Sequence, residues 1–180
     1  MALMDGFKLR RRRTLPWALG TLAVLSLLAL VGVVLASRYG SEFSHVREFA
    51  IAAVGGAAAL LYFLYKQHLD ETRLFLDLFR DFNARFDKLN DRLNAIVGGL
   101  QAEPGASLTD ADRQTLFDYF NLCAEEFLFA EAGCLDPEVW KSWRRGMRVF
   151  AAPAAIRSLW EEELASGSYY GFSLQVVDRD

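Results

Sequence analysis

The sequence predicts an all-α protein that consists of a two-helix transmembrane hairpin, a coiled-coil-like stalk helix and a small cytoplasmic helical domain. Three observations lead to this fold class. Two uncharged runs, Leu15 to Ala36 and Phe49 to Tyr65, lie close together in the first part of the chain. A heptad pattern of apolar residues follows them, and helix-capping signals precede apolar stripes in the remaining residues.

These patterns divide the 180 residues into seven consecutive segments. They are a basic cytoplasmic tail (1–14), a first transmembrane helix (15–36), a short external loop (37–48), a second transmembrane helix (49–65), an amphipathic stalk helix (66–97), a linker (98–109) and a helical carboxyl-terminal domain (110–180).

The first uncharged run is long enough to cross a bilayer. Its 22 residues would form a helix of about 33 Å, and a hydrocarbon core is about 30 Å thick. A cleaved signal peptide is the rival interpretation, since Val34-Leu35-Ala36 resembles a small-residue cleavage site. We favour the retained helix, because the run is longer than the usual apolar region of a signal peptide.

The second uncharged run is shorter, and its 17 residues would span about 26 Å as a helix. It would cross a bilayer if the flanking Glu48 and Lys66 extended outward. The pairs Ala52/Gly56 and Gly55/Ala59 would allow close packing against the first run or against another copy. Neither run contains an ionisable residue, which argues against an ion pathway.

The distribution of basic residues predicts the orientation of this hairpin. The loop contains only Arg38 and Arg47, whereas five basic residues precede the first run: Lys8, Arg10, Arg11, Arg12 and Arg13. We therefore predict a multi-pass protein of the inner membrane with both termini in the cytoplasm and with the lipid bilayer as a partner. The net charge of −3 leaves the rest of the chain acidic, so we expect no nucleic-acid binding.

The stalk carries a seam of apolar residues at successive spacings of 4, 3, 4, 3, 4 and 3. This period of 3.5 is typical of helices that pack along their length. The partner is either a second copy of the stalk or the carboxyl-terminal helices of the same chain, and we favour the second copy. The sequence thus predicts a homo-oligomer whose seam contains Phe75, Phe79, Phe82, Phe86, Leu89, Leu93 and Ile96.

Local signals define the first helix of the carboxyl-terminal domain. Gly98-Gly99 should end the stalk, and a linker should follow. Thr109 and Asp112 resemble a capping box in which Asp replaces the usual Glu. We therefore expect a helix from about Asp110 to Ala132 that stops at Gly133.

Two further helices and a tail should follow. Asp136 is placed to cap a helix with Pro137 at its first position, and Pro153 should start a last helix that ends at Leu164. The aromatic segment 169–172 should fold back on the domain. Whether Phe172 to Val177 forms a strand is left open by the sequence.

No pattern of residues predicts catalysis, a cofactor or a metal site. His45 and His68 have no partner at ligand spacing, and Cys123 and Cys134 are expected to be buried thiols in a reducing compartment. The acidic residues at 125, 126 and 131 are interpreted as a solvated helix face. The basic face of the predicted helix that begins at Pro137 could pair with it. This possible partner surface contains Glu125, Glu126, Glu131, Arg144, Arg145 and Arg148.

Several aromatic segments resemble a known group of proteins. They are the residues 119–128, Gly133, the segment from Asp136 to Trp140, then Trp143, Gly146 and Met147, together with Phe82-Asn83 and Leu89-Asn90. They look like uncharacterised bacterial proteins that have a membrane anchor and a small helical domain of unknown function. The resemblance implies an all-helical fold and an inner-membrane location, and it implies no activity.

The function expected from these observations is that of a non-enzymatic, membrane-anchored interaction or scaffold protein. It would self-associate through its stalk and recruit an unidentified cytoplasmic protein. The alternative is a membrane-acting effector of a toxin or phage-defence system that perturbs the bilayer. The absence of polar residues in both runs makes a water-filled pore hard to line and therefore favours the scaffold.

Overall fold

The computed structural model describes residues 20, 23–24, 26–27, 29–32, 34, 37–38, 44–103 and 105–178. Its bounded elements are α1 (Ser44–Ala102), α2 (Asp110–Glu131), α3 (Pro137–Phe150), α4 (Ala154–Leu164) and α5 (Leu174–Asp178). The described residues between 20 and 38 are helical as well. No strand occurs in the described part of the chain, so the all-α part of the predicted fold class is confirmed.

The predicted transmembrane hairpin is contradicted. No helix among the described residues is long and apolar enough to cross a membrane. In α1 the uncharged stretch is only 17 residues, about 26 Å, and the next turn brings in Lys66, Gln67 and His68. An average bilayer core needs about 20 apolar residues, so the polar turn interrupts the run too early.

The same finding contradicts the multi-pass inner-membrane location, because that prediction depended on two spanning helices. Most of the first predicted span, 15–36, lies outside the described residues. The basic residues that were used for orientation also lie outside them: Lys8, Arg10, Arg11, Arg12 and Arg13.

Helix α1 is one continuous helix of 59 residues, and it includes both the second predicted span and the stalk. The sequence predicted an end at Gly98-Gly99, but the helix continues to Ala102. Two glycines within a helix cost about 1 kcal/mol each relative to alanine. Burial of Ile96 and Val97 just before them, and the packing of Leu100 just after them, offset this cost.

The chain divides into two compact units, Arg10–Arg73 and Leu74–Asp180. The second unit contains the hydrophobic core, in which Leu93 and Ile96 of α1 pack with residues of the other four helices. Trp160 of α4 is fully buried there, and its ring stacks on Phe120 with the ring centroids 4.4 Å apart. A second, smaller cluster consists of Phe82, Leu122 and Leu135.

Both ends of α2 follow the local signals in the sequence. The predicted capping box is confirmed, since the Thr109 hydroxyl accepts from the Asp112 backbone N–H and the Asp112 carboxylate accepts from the Thr109 N–H. At the other end Gly133 has a φ of 77°, and the backbone N–H of Cys134 donates to the carbonyl of Phe129 at 2.9 Å. This is a Schellman motif, in which glycine adopts the left-handed conformation without strain.

The next two helices also begin where the sequence predicts. Asp136 caps α3 by accepting from the Glu138 backbone N–H at 2.9 Å, and Pro137 is the first residue of the helix. Helix α4 follows Pro153 and ends at Leu164.

The carboxyl-terminal tail returns to the core, as the sequence predicts for its aromatic residues. Tyr169 and Phe172 are buried, and the Phe172 ring lies 5.7 Å from that of Trp160. The turn between them uses left-handed backbone at Tyr170 and Gly171. The open question about 172–177 is settled by α5, a short helix that buries Leu174 and Val177.

Candidate functional site

A cavity of about 150 Å³ lies among α1, α2 and α3 within the Leu74–Asp180 unit. Each helix contributes to its wall, and the buried carboxyl of Glu126 is its most unusual group. The lining residues are Asn83 and Phe86 of α1, Tyr119 and Glu126 of α2, and Ser142, Trp143, Gly146 and Met147 of α3.

Helical periodicity places Glu126 on the inner face of α2. It follows Tyr119 by seven residues, Leu122 by four and Cys123 by three, and all three of these side chains are buried. Residues at these spacings share one face of an α-helix. The interpretation of Glu126 as part of a solvated face is therefore wrong, and these three spacings are the signal that could have revealed its burial.

Burial is the main influence on the pKa of Glu126, a residue that is only 7% exposed. The pKa of this carboxyl is raised to about 8, mainly because burial removes its solvation. The charge of Arg85 lowers the pKa by a smaller amount, and the charge of Glu125 raises it slightly. None of the described residues hydrogen-bonds this carboxyl. At neutral pH the group is therefore mainly protonated.

The neighbouring Glu125 is paired with an arginine of α1. Arg85 of α1 donates to it through two N–H groups, Nη1 to Oε2 at 2.5 Å and Nη2 to Oε1 at 3.0 Å. This hydrogen bonding is the main reason why the pKa of Arg85 is raised. Asp81, one turn earlier, lies 3.7 Å from the same guanidinium. The partner of Glu125 is thus an arginine of α1.

Neither buried thiol is an activated nucleophile. Burial raises the pKa of the Cys123 thiol well above its usual range, and burial also raises that of Cys134. Both cysteines are free and buried, as the sequence predicts. Because the thiolate is the reactive form, this environment suppresses the chemistry of both residues.

The rest of the predicted partner surface is dispersed. Glu131 and Arg145 are exposed. Arg144 of α3 donates to the carbonyl of Val176 at 3.2 Å and lies over the ring of Trp140. Arg148 acts with Arg157 to lower the pKa of Asp178, with Arg157 the larger cause. Arg144 and Arg148 therefore interact with the carboxyl-terminal tail.

The predicted oligomerisation seam faces the chain's own helices. Phe82, Leu93 and Ile96 are buried, and the partly buried Phe75, Phe86 and Leu89 pack against the two core clusters. Phe79 stacks on Trp143, with the ring centroids 6.0 Å apart. Of the two partners that the sequence allows, this structure uses the carboxyl-terminal helices. They cover six of the seven residues in whole or in part, and Phe79 remains 36% exposed.

The part of the chain that is described contains no group of three or more His, Cys, Asp or Glu side chains that could hold a metal ion. The cavity instead combines a carboxyl, an amide and a hydroxyl with three aromatic rings. Such a lining is suited to reversible binding of a small polar group.

Comparisons of the chain with protein-family models, with characterised proteins and with solved structures found no match.

Proposed function

We propose that the protein is a non-enzymatic interaction protein that self-associates through an exposed stripe of α1 and recruits a partner protein. The proposal rests on one observation, an apolar stripe in the Arg10–Arg73 unit that no described residue covers. The stripe contains Ile51, Ala58, Tyr62, Tyr65 and Leu69.

The spacing of this exposed stripe favours a second copy of the same helix as its partner. Successive members are 7, 4, 3 and 4 residues apart, and Gly55 fills the remaining heptad position. Residues with this period form one continuous line, and two such lines can interdigitate as knobs and holes. Tyr62 is 69% exposed and Tyr65 is 61% exposed, so their rings are available to a partner.

The exposed stripe is distinct from the seam that the sequence predicted. The seam begins at Phe75 and, apart from Phe79, packs into the core of the Leu74–Asp180 unit, whereas the last residue of the exposed stripe is Leu69. Exposed Leu60 and Phe63 enlarge the apolar surface beside it. Large exposed apolar patches on proteins are typical of interaction sites.

A non-enzymatic role agrees with the chemistry of the described residues. Burial holds both thiols in the protonated form, including that of Cys123, which lies close to Glu126.

Disulfide cross-linking of the full chain tests this proposal. Tyr62→Cys places a thiol on the exposed stripe, and Glu71→Cys places one on the opposite side of α1. We expect rapid formation of covalent dimers by Tyr62→Cys and little by Glu71→Cys. The native Cys123 and Cys134 are 0% and 8% exposed, so they do not compete.

Sedimentation of charge variants provides the second measurement. Tyr62→Asp would bury a carboxylate between two helices and should dissociate the assembly, whereas Gln67→Asp adds the same charge at a polar position on the other side. A wild-type chain that is monomeric at every concentration would contradict the proposal. So would equal cross-linking by both cysteine variants, or partition of the chain into phospholipid vesicles in place of self-association.

A further inference from the structure

The cavity beside Glu126 contains hydrogen-bond acceptors that the protein itself leaves unused. The Glu126 carboxyl has no hydrogen-bond partner among the described residues, although the residue is only 7% exposed. The amide nitrogen of Asn83 donates to the carbonyl of Phe79 at 2.6 Å, which leaves the amide oxygen as an acceptor. Ser142 adds a hydroxyl.

These groups match a ligand that donates several hydrogen bonds. A carboxylate, an amide oxygen and a hydroxyl oxygen supply at least three acceptors, and a primary ammonium group carries three N–H donors. A hydrogen bond between an ammonium and a carboxylate is about twice as strong as one between neutral groups. The polar side of the cavity is therefore suited to an ammonium group.

The remaining wall favours a cation on an apolar chain. Phe86, Tyr119 and Trp143 present aromatic rings, whose faces attract cations, and Met147 adds a flexible apolar side chain. The neighbouring charges act in the same direction. Asp81, Glu125 and an ionised Glu126 supply three negative charges, and Arg85 supplies a positive charge.

We propose that this cavity binds a primary ammonium group on a short alkyl chain, supplied either by a free amine or by a lysine side chain of a peptide. The proposal does not depend on self-association through the exposed stripe, because the cavity lies wholly within the Leu74–Asp180 unit.

Binding should be coupled to release of a proton. The carboxyl of Glu126 is mainly protonated below pH 8 and must ionise to pair with the ammonium, so the affinity should rise about tenfold per pH unit between pH 6 and 7.5. The other titratable groups nearby are Arg85 and Asp81 of α1 and Tyr119, Cys123 and Glu125 of α2. The four residues that α3 adds to the wall do not titrate.

Isothermal titration calorimetry of the full chain tests the proposal with two probes, butylammonium and Nα-acetyl-lysine methylamide. We expect binding of one ligand per chain, a heat that depends on the buffer's ionisation enthalpy, and the pH dependence given above. Binding of butylammonium alone would identify a free amine as the source, and binding of the lysine derivative alone would identify a peptide. No binding of either probe at tens of millimolar, or equal binding of 1-butanol, would overturn the proposal.

Two variants distinguish a loss of ligand binding from a loss of protein stability. Glu126→Gln should weaken binding at pH 7.5 by roughly tenfold or more and abolish proton release. Gly146→Leu keeps Glu126 but places a side chain at the cavity, where an added Cβ meets no atom within 4 Å, so it should block binding in a folded protein. Gly98→Leu has the same open surroundings away from the cavity and serves as the control.

The two variants also decide the outcome if one of them does not fold. Circular dichroism melts identify a failure to fold, and Gly146→Leu then replaces Glu126→Gln as the deciding variant. A folded Glu126→Gln that binds as tightly as wild type, or a folded Gly146→Leu with unchanged affinity, would overturn the proposal.

Discussion

At the scale of single residues, Glu126 makes the stability of the protein depend on pH. Its pKa is about 8 in the folded protein and near the ordinary value of 4.5 in the unfolded chain, so the folded state holds the proton more tightly. The contribution is complete below about pH 4.5 and is lost as the pH rises through 8. Between these values the free energy of unfolding should fall by about 1.4 kcal/mol per pH unit from this group.

Urea unfolding at pH 5 and at pH 8 measures this effect. Glu126→Gln has no proton to lose and should show a smaller difference between the two pH values than wild type. Glu131→Gln, which changes an exposed residue of the same helix, should behave like wild type. An identical pH dependence in all three proteins would show that Glu126 is ionised in the folded state.

The second prediction at this scale concerns Trp160, which is fully buried and stacks on Phe120. Trp160→Ala should reduce the free energy of unfolding by about 3–5 kcal/mol, because it leaves a large cavity. Trp160→Phe should cost less, since it keeps a ring and removes an indole N–H that has no hydrogen-bond partner in the described residues. In thermal melts, Trp140→Ala, which changes a half-buried residue, should destabilise the protein less than Trp160→Ala. The reverse order would contradict the placement of Trp160 at the centre of the core.

At the scale of elements, the capping box is a local source of stability for α2. Thr109→Ala removes the acceptor for the Asp112 backbone N–H and should destabilise the unit by about 1 kcal/mol. Asp112 also accepts from Arg92 of α1 at 2.6 Å, so the box supports a contact between two helices. Thr109→Ser should retain most of the stability in denaturant titrations, and Ser107→Ala, an exposed change in the same loop, should be neutral.

The seam on α1 is the second element-scale feature, and its residues are unequal. Phe82 is 1% exposed and packs with Leu122 and Leu135, whereas Phe79 is 36% exposed. Phe82→Asp would bury an unpaired charge and should unfold the Leu74–Asp180 unit, while Phe79→Asp should cost much less because its carboxylate can reach water. Circular dichroism melts that show equal losses for both variants would contradict the intramolecular packing.

At the scale of the whole molecule, the Leu74–Asp180 unit has its own core and should fold alone. A fragment of these residues should unfold in one cooperative transition, and it should be monomeric because its seam is already covered. The full chain, which adds the exposed stripe, should sediment as a larger species. A fragment that self-associates as strongly as the full chain would place the self-association in the Leu74–Asp180 unit and would contradict a role for the exposed stripe.

The sequence alone determined the features that depend on neighbours along the chain. The capping box at Thr109, the stop at Gly133 and the start of α3 at Pro137 all follow from local chemistry. Each signal acts within one or two helical turns, where spacing fixes which groups can meet. The same reasoning recognised the heptad period of the seam.

Only the tertiary structure decided which surface covers each helix face. A period of 3.5 is the same whether the partner is a second copy or the chain's own α2 and α3, so the seam's partner could not be read from spacing. The pairing of Arg85 with Glu125 joins residues 40 positions apart, and it leaves the adjacent Glu126 turned into the core. A carboxyl is usually exposed, so its burial depends on contacts between distant residues that no local pattern specifies.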